Sequence, residues 1–199
     1  NEKGLYVTFE QRAEELRSQA KQFGWNLEAL EKQGKIKIVA LHVNQINEKT
    51  IDMIKQEVTK NNYKRLVIDS LSTLVVNAPI YTEASGMSIK DIMSDYTIFS
   101  PPIVGEYIVK KFIYGFIDHL RDLKCTTILI SEASQDGEYL SRATLSEFVA
   151  DGVVLITFEA LGGEYSRSLI IKKMRETKND EDVHPLEISK QGMVVHKIE

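Results

Sequence analysis

Asp69-Ser70 closes the run Arg65-Leu66-Val67-Ile68 and is the pair best suited to chemistry on a charged ligand. The carboxylate can hold a divalent metal near phosphates, and the hydroxyl can sense a phosphate oxygen. Two further polar ends follow apolar runs. Glu10 follows Leu5-Tyr6-Val7-Thr8-Phe9, and Ser131-Glu132 follows Thr126-Thr127-Ile128-Leu129-Ile130. A glutamate so placed can orient and polarise water. Lys173-Met174-Arg175 is the fourth feature: residues i and i+2 of a strand share a face, so two cations there could stabilise charge on a transferring phosphoryl group. Each feature also fits a plainer role. Glu10 could cap the next helix, Ser131-Glu132 could be the polar end of a buried strand, and Lys173 with Arg175 a solvated face.

Bringing these residues together requires a particular set of elements. Leu5–Phe9 is a first strand, and Ala13, Leu16, Ala20 and Phe23 mark an amphipathic helix over 12–23 that Gly24 stops. Asn26 is placed to cap a short helix over 27–33, ended by Gly34. Residues 36–41 suit a strand near a sheet edge. Ile51, Ile54 and Val58 mark a helix over 48–60 broken at Asn61-Asn62. The Asp69 strand then reads as buried on both faces, as in a parallel sheet.

Residues 77–105 hold Pro79, Pro101, Pro102, Gly86 and Gly105 and are expected to form a long loop. Ile108, Phe112, Phe116, Leu120 and Leu123 then mark a strong helix, and 126–130 another buried strand. Val153–Phe158 with Ser168–Lys173 reads as a hairpin, and Glu187-Ile188 with Met193–Val195 as a second. The expected fold class is α/β: a mostly parallel sheet flanked by helices, with antiparallel C-terminal β-hairpins added at its edge. Residues 1–199 form one domain on this reading. Right-handed crossovers bring the ends after Phe9, Ile68 and Ile130 to one sheet edge, where ligands bind.

The 199 residues are 43% hydrophobic and 27% charged, enough for a full core in one domain. The net charge of −4 argues against a strongly basic nucleic-acid module. Cys125 is the sole cysteine, so no intrachain disulfide forms, and a reducing, cytoplasmic setting is expected. No run approaches the roughly 18 apolar residues of a membrane span. His42, His119, His184 and His196 lack ligand spacing. No Gly-x-Ser-x-Gly elbow suggests acyl transfer. No Gly-x-x-x-x-Gly-Lys-Ser/Thr cradle is present either; Gly34-Lys35 lacks the first glycine and the hydroxyl.

Beyond spacing, an ordered set of segments resembles the KaiC-like branch of the RecA/RadA ATPases. The set comprises Leu5–Glu10, Ala20–Leu27, Leu66–Ser70, Ser141-Arg142, Glu147–Val153, Lys173–Arg175 and His184-Pro185. The resemblance implies a RecA-like P-loop NTPase core binding ATP and Mg²⁺. It implies that Glu10 is the first of two water-activating glutamates, with Gln11 in the second place, so that hydrolysis is slow. Asp69 matches the Walker B aspartate that positions Mg²⁺, with Ser70 beside it. Ser131 and Glu132 match, more loosely, the polar strand end facing the nucleotide.

Lys173 and Arg175 match the pair reaching the γ-phosphate of ATP on a neighbouring subunit, which implies a head-to-tail ring, usually a hexamer. The resemblance also implies that the chain starts just past the phosphate cradle (Walker A). The cradle's strand lies inside the sheet in that family, so its loss would leave a gap, and either residues upstream of these supply it or another element fills that place. The 77–105 segment is longer than the family leads one to expect.

Two other classes fit the sequence. One is a non-catalytic regulatory or assembly module that binds a protein partner through 77–105. The other is a DNA-recombination-related RadA paralogue, with Lys90, Lys110 and Lys111 as a local basic patch despite the net charge.

Overall fold

The computed structural model describes residues 2–47, 49–76, 101–133, 146–161 and 164–197, with 101–108, 159–161 and 164–165 described by backbone alone. Among the described residues two four-stranded sheets form the frame. The first is parallel, with β1 (Gly4–Thr8), β2 (Ile36–Ala40), β3 (Arg65–Asp69) and β4 (Thr126–Leu129) in the order β2-β1-β3-β4. The second is antiparallel, with β5 (Gly152–Leu161), β6 (Glu164–Met174), β7 (His184–Ser189) and β8 (Gly192–Val195) in chain order.

Local chemistry sets the helices that join the parallel strands. Helix α1 (Ala13–Gln22) ends before Gly24, whose φ of +76° suits a residue without Cβ. Asn26 Oδ1 accepts from Ala29 N at 3.0 Å and caps α2 (Leu27–Lys32). Helix α3 (Thr50–Asn61) stops at Asn62, which takes the left-handed conformation. Strand β2 is the edge strand expected of 36–41. A short α4 (Leu71–Val76) follows β3, and α5 (Pro101–Asp122) precedes β4.

Helix α5 starts earlier than the sequence pattern suggests. Residues 101–105, expected in the long loop, are its first turn. The cause is Pro101-Pro102: an unavailable N–H is harmless at a helix start, and proline's fixed φ favours it. The remainder of the loop, 77–100, lies outside the described residues.

The core lies on one face of the parallel sheet. Leu5, Val7 and Phe9 of the β1 segment, with Leu66 and Ile68 of β3, pack against Ile54 and Val58 of α3 and Phe112, Ile113 and Phe116 of α5. Right-handed crossovers place α1 and α2 on the opposite face. There the register sets Tyr6, Val67 and Ile128 side by side. Tyr6 and Val67 are half-buried, but Ile128 is 58% exposed. Strand β4 is thus not the buried strand expected, because α1 and α2 cover only the β1–β2 side of this face.

The hairpins form where expected, but they do not extend the parallel sheet. Among the described residues β4 and β5 each have an outer edge without a strand partner. Val154, Ile156 and Phe158 of β5 are about half exposed on one face.

Candidate functional site

Strand order decides where a ligand can enter this sheet. The connection from β1 runs to β2 on one side, and that from β3 runs to β4 on the other. A crevice therefore opens between the carboxyl ends of β1 and β3, the switch point at which open α/β sheets bind ligands. Glu10 and Asp69-Ser70 stand at its two lips, and Phe9 N donates to Asp69 O at 2.7 Å across it. The Asp69–Ser70 peptide is cis.

Hydroxyl groups hold the crevice together. Ser70 Oγ donates to Glu10 Oε1 at 2.5 Å, and Thr73 Oγ1 donates to the same oxygen at 3.1 Å. The turn after β1 is fixed by Thr8, whose buried Oγ1 accepts from Glu10 N and Gln11 N, each at 3.2 Å. Glu10 is consequently tied to β3 and α4 and does not cap α1. That helix starts at Arg12, whose N–H donates to Glu15 Oε2 at 2.9 Å.

On the opposite side of α4, Ser72 Oγ lies 3.3 Å from Ser131 Oγ and accepts from Glu132 N at 3.1 Å. Helix α4 thus contacts the polar end after β1 through Thr73 and the polar end after β4 through Ser72.

Asp69 carries one more contact. Tyr6 donates its hydroxyl to Asp69 Oδ2 at 2.7 Å. Thr8 is paired with Asp69 in the β1–β3 register, so Tyr6 is the diagonal neighbour on the same face. Burial, followed by this hydrogen bond and the nearby negative charges of Asp69 and Glu10, pushes the Tyr6 hydroxyl well above the ordinary tyrosine range.

Beside Glu10 lies a cavity of about 650 Å³, lined by Glu10, Gln11, Arg12, Leu41 and His42 among others. It gives the free side of the Glu10 region room for solvent or a ligand.

Lys173 and Arg175 are not at this crevice's lips. They converge on the end of a one-turn helix, α6 (Ser146–Val149). Lys173 Nζ donates to Glu147 O at 2.9 Å and Phe148 O at 3.0 Å. Arg175 donates to Phe148 O at 2.9 Å and to Asp151 Oδ1 at 3.0 Å. Arg121 adds a bond to Val149 O at 2.8 Å. Cations at a helix C-terminus satisfy its orphan carbonyls. Burial, and then the adjacent Arg175 guanidinium, hold Lys173 below the ordinary lysine value.

Of the residues singled out in the sequence, Glu10 and Ser70 meet directly, Asp69 precedes Ser70 and is held instead by Tyr6, and Ser131 and Glu132 bond Ser72 on the adjoining α4. Sequence reasoning passed over Tyr6, Thr8, Ser72 and Thr73. The spacing of Ser70, Ser72 and Thr73 just after a strand was a readable signal, since i and i+3 share a helix face. Tyr6 carried none, because its partner depends on strand order.

A parallel sheet with carboxylates and hydroxyls at its switch point, followed by an antiparallel sheet, is the architecture of a RecA-fold ATPase domain, and the comparisons agree. The family model described as ATPase: KaiC matches residues 1–100 and 102–199, and the chain belongs to that family. It is 28% identical to the UPF0273 protein MJ1359 of Methanocaldococcus jannaschii, over 98% of this chain and 76% of that one. A UPF0273 protein of Thermotoga maritima is 26% identical, over 100% of this chain and 77% of that one. Among solved structures, the KaiC-like protein PH0186 of Pyrococcus horikoshii OT3 superposes with a TM-score of 0.71 at 31% identity, over 98% of this chain and 76% of that one. Among the described residues no helix is long and apolar enough to cross a membrane.

Proposed function

We propose that the β1/β3 crevice binds ATP with Mg²⁺ and hydrolyses it slowly, with Glu10 acting on the attacking water. The observation that carries this reading is the fixed pair of carboxylates, Glu10 and Asp69, at the switch point of a KaiC-family sheet. Ser70 and Thr73 hold one oxygen of Glu10, which orients the carboxylate without neutralising it. Gln11 stands where a second carboxylate would strengthen the base, and its amide supplies no negative charge.

The donor set suits Mg²⁺. Mg²⁺ takes one or two carboxylates, keeps waters and shares substrate phosphates. Asp69 offers one carboxylate beside the Ser70 hydroxyl. Among the described residues no group of three or more His, Cys, Asp or Glu side chains converges to hold a metal without a substrate. When bound, the cation would draw charge from the phosphates; Asp69 and its neighbours orient it.

The phosphate grip itself is assigned to the place between the sheets. A strand beside β4, followed by a loop and a helix, would pair the open edges and cover Ile128, Val154 and Ile156. The match leaves about a quarter of each relative outside it, as 76% of the Methanocaldococcus protein is covered. On this reading residues 1–199 are one part of a single RecA-like domain.

A ring is the assembly this reading favours, with Lys173 and Arg175 presented to the ATP of a neighbouring subunit. Two of the three Lys173 N–H groups are engaged by α6 carbonyls, so the pair is oriented as well as charged. A second reading rests on those same bonds: Lys173 and Arg175 brace α6 within one subunit.

The test is nucleotide binding and turnover by the full-length protein. Glu10→Gln is expected to retain ATP binding and to lose turnover by about 100-fold or more, the range for a general base. A full-length protein that binds no ATP in the presence of Mg²⁺ would end the ATPase reading and favour a non-catalytic assembly module.

A further inference from the structure

We infer that Tyr6 is a positioning residue for Asp69: it pins Oδ2 and so turns Oδ1 toward the divalent cation. The inference rests on the proposed reading of Asp69 as the residue that orients the metal, and adds to it the group that orients Asp69.

The geometry has three parts. Asp69 is the last residue of β3; it is half-buried, and its backbone O accepts from Phe9 N of the neighbouring segment. Tyr6 lies two residues before Thr8, the register partner of Asp69, on the same face. A tyrosine is long enough to span that diagonal, and its hydroxyl reaches Oδ2 at 2.7 Å. Among the described residues no hydrogen bond engages Oδ1.

The ring body is itself held. Its neighbours on β1, Leu5 and Val7, are locked in the core, with relative exposures of 2% and 1%. On its own face Tyr6 is half-buried beside Val67. The donor is thus delivered from a rigid strand. A carboxylate with one oxygen tied presents the other in a single direction. Outer partners of metal-orienting groups act in this way and are felt in metal affinity more than in fold.

The other hydroxyls at the crevice do not duplicate this role. Ser70 and Thr73 are committed to Glu10, and Thr8 to the backbone of the β1 turn. Tyr6 alone among the described residues donates a side-chain hydrogen bond to Asp69.

The test compares full-length wild type, Tyr6→Phe, Asp69→Asn and the double variant. Mn²⁺ binding in the presence of ADP is read from the loss of the free Mn²⁺ paramagnetic resonance signal, and the Mg²⁺ dependence of ATP turnover is measured alongside. Tyr6→Phe is expected to weaken Mn²⁺ binding and raise the half-saturating Mg²⁺ by about tenfold, with turnover at saturating Mg²⁺ changed by about twofold or less. In the Asp69→Asn background the same change should have no further effect on Mn²⁺ affinity.

Equal Mn²⁺ affinity in wild type and Tyr6→Phe would overturn the inference. So would an equal loss in the Asp69→Asn background, since Tyr6 would then act elsewhere. A lower melting temperature with unchanged metal affinity would reduce Tyr6 to a structural residue and also overturn it. If wild type binds no Mn²⁺ with ADP, the ATPase reading falls, and this inference with it. A wild type that binds beside an indifferent Tyr6→Phe leaves that reading standing and removes only the inference.

Discussion

Ser70 Oγ lies 2.5 Å from Glu10 Oε1, so the carboxylate after β1 is held by the first hydroxyl after β3. The two residues are 60 positions apart in the chain and adjacent across the switch-point crevice. Hydrogen bonds to charged groups are worth about 1.5–3 kcal/mol, so loss of this one should be felt in the placement of Glu10. In the full-length protein Ser70→Ala is expected to lower ATP turnover by roughly tenfold while Glu10 keeps its Thr73 bond. Ser70→Thr, which retains the hydroxyl, should restore most of it. Steady-state turnover at saturating ATP and Mg²⁺ checks both; equal rates in wild type and Ser70→Ala would show that Glu10 is positioned without Ser70.

Lys173 and Arg175 distinguish the ring reading from the brace reading. If Arg175 acts across a subunit boundary, Arg175→Ala should suppress hydrolysis and leave nucleotide binding nearly intact. Mixing Arg175→Ala with Glu10→Gln subunits should then recover activity, because some interfaces combine an intact Glu10 with an intact Arg175. If Arg175 only braces α6, mixing recovers nothing. In that case a loss of stability on the order of 1 kcal/mol is expected from the unmatched helix carbonyls. Turnover of the mixtures and thermal unfolding of each variant read the two outcomes.

The turn between β7 and β8 is seated against the α1–α2 connection. A Cβ on Gly192 would lie 2.8 Å from Trp25 Cζ2, and the residue has φ +120°. Gly192→Ala therefore meets both a strained backbone and an aromatic ring, and a destabilisation of about 1–3 kcal/mol is expected. Trp25 is the only tryptophan, so its emission should shift with the same substitution. An unchanged melt and spectrum would mean that the hairpin does not rest on Trp25.

Local chemistry made part of this fold readable. Asn26 as a cap, Gly24 and Gly34 as stops, and Asn62 as a break act within a few residues of themselves, and each sits as expected. The same holds for Glu10, Asp69 and Ser70, since ends of parallel strands must share an edge. What escaped depends on the third dimension. Tyr6 finds Asp69 only because β1 neighbours β3, and Ile128 is bare only because α1 and α2 stop short of β4. Lys173 and Arg175 converge on one carbonyl, Phe148 O, but Arg175 lies just past the end of β6 and not on the strand that was to set the pair side by side. Their anchorage on α6 could not be read, because a four-residue helix has no periodicity to detect.

Acid should weaken the link between α1 and α2 in a defined direction. Arg17 Nε and one terminal nitrogen bond the two oxygens of Glu31 at 2.7 and 3.1 Å, with both side chains partly exposed. The Arg17 hydrogen bond is the main cause holding the Glu31 carboxyl below its ordinary value. A folded pKa lower than the unfolded one contributes stability above the unfolded value and loses it as pH falls through the folded value. Glu31→Gln should therefore be less stable than wild type at neutral pH, by about 1 kcal/mol for a paired carboxylate. The gap should close below the folded pKa. Urea unfolding at neutral and acid pH measures it; a gap independent of pH would mean that the charge on Glu31 contributes nothing.

Ile128 tests what lies between the two sheets. It is 58% exposed on the face that also carries Tyr6 and Val67. A lysine replacing an isoleucine on a bare surface changes stability by about 0.5 kcal/mol or less. Beneath a packed helix the same lysine would have to bury its charge, at a cost of several kcal/mol. In the full-length protein Ile128→Lys is expected to be strongly destabilising and to weaken ATP binding, because a helix displaced from this face would carry the phosphate grip with it. Ile128→Leu should be tolerated. Thermal unfolding and ATP affinity of the two variants decide the matter: a lysine tolerated as well as leucine would mean that this face is open to solvent and that the grip is seated elsewhere.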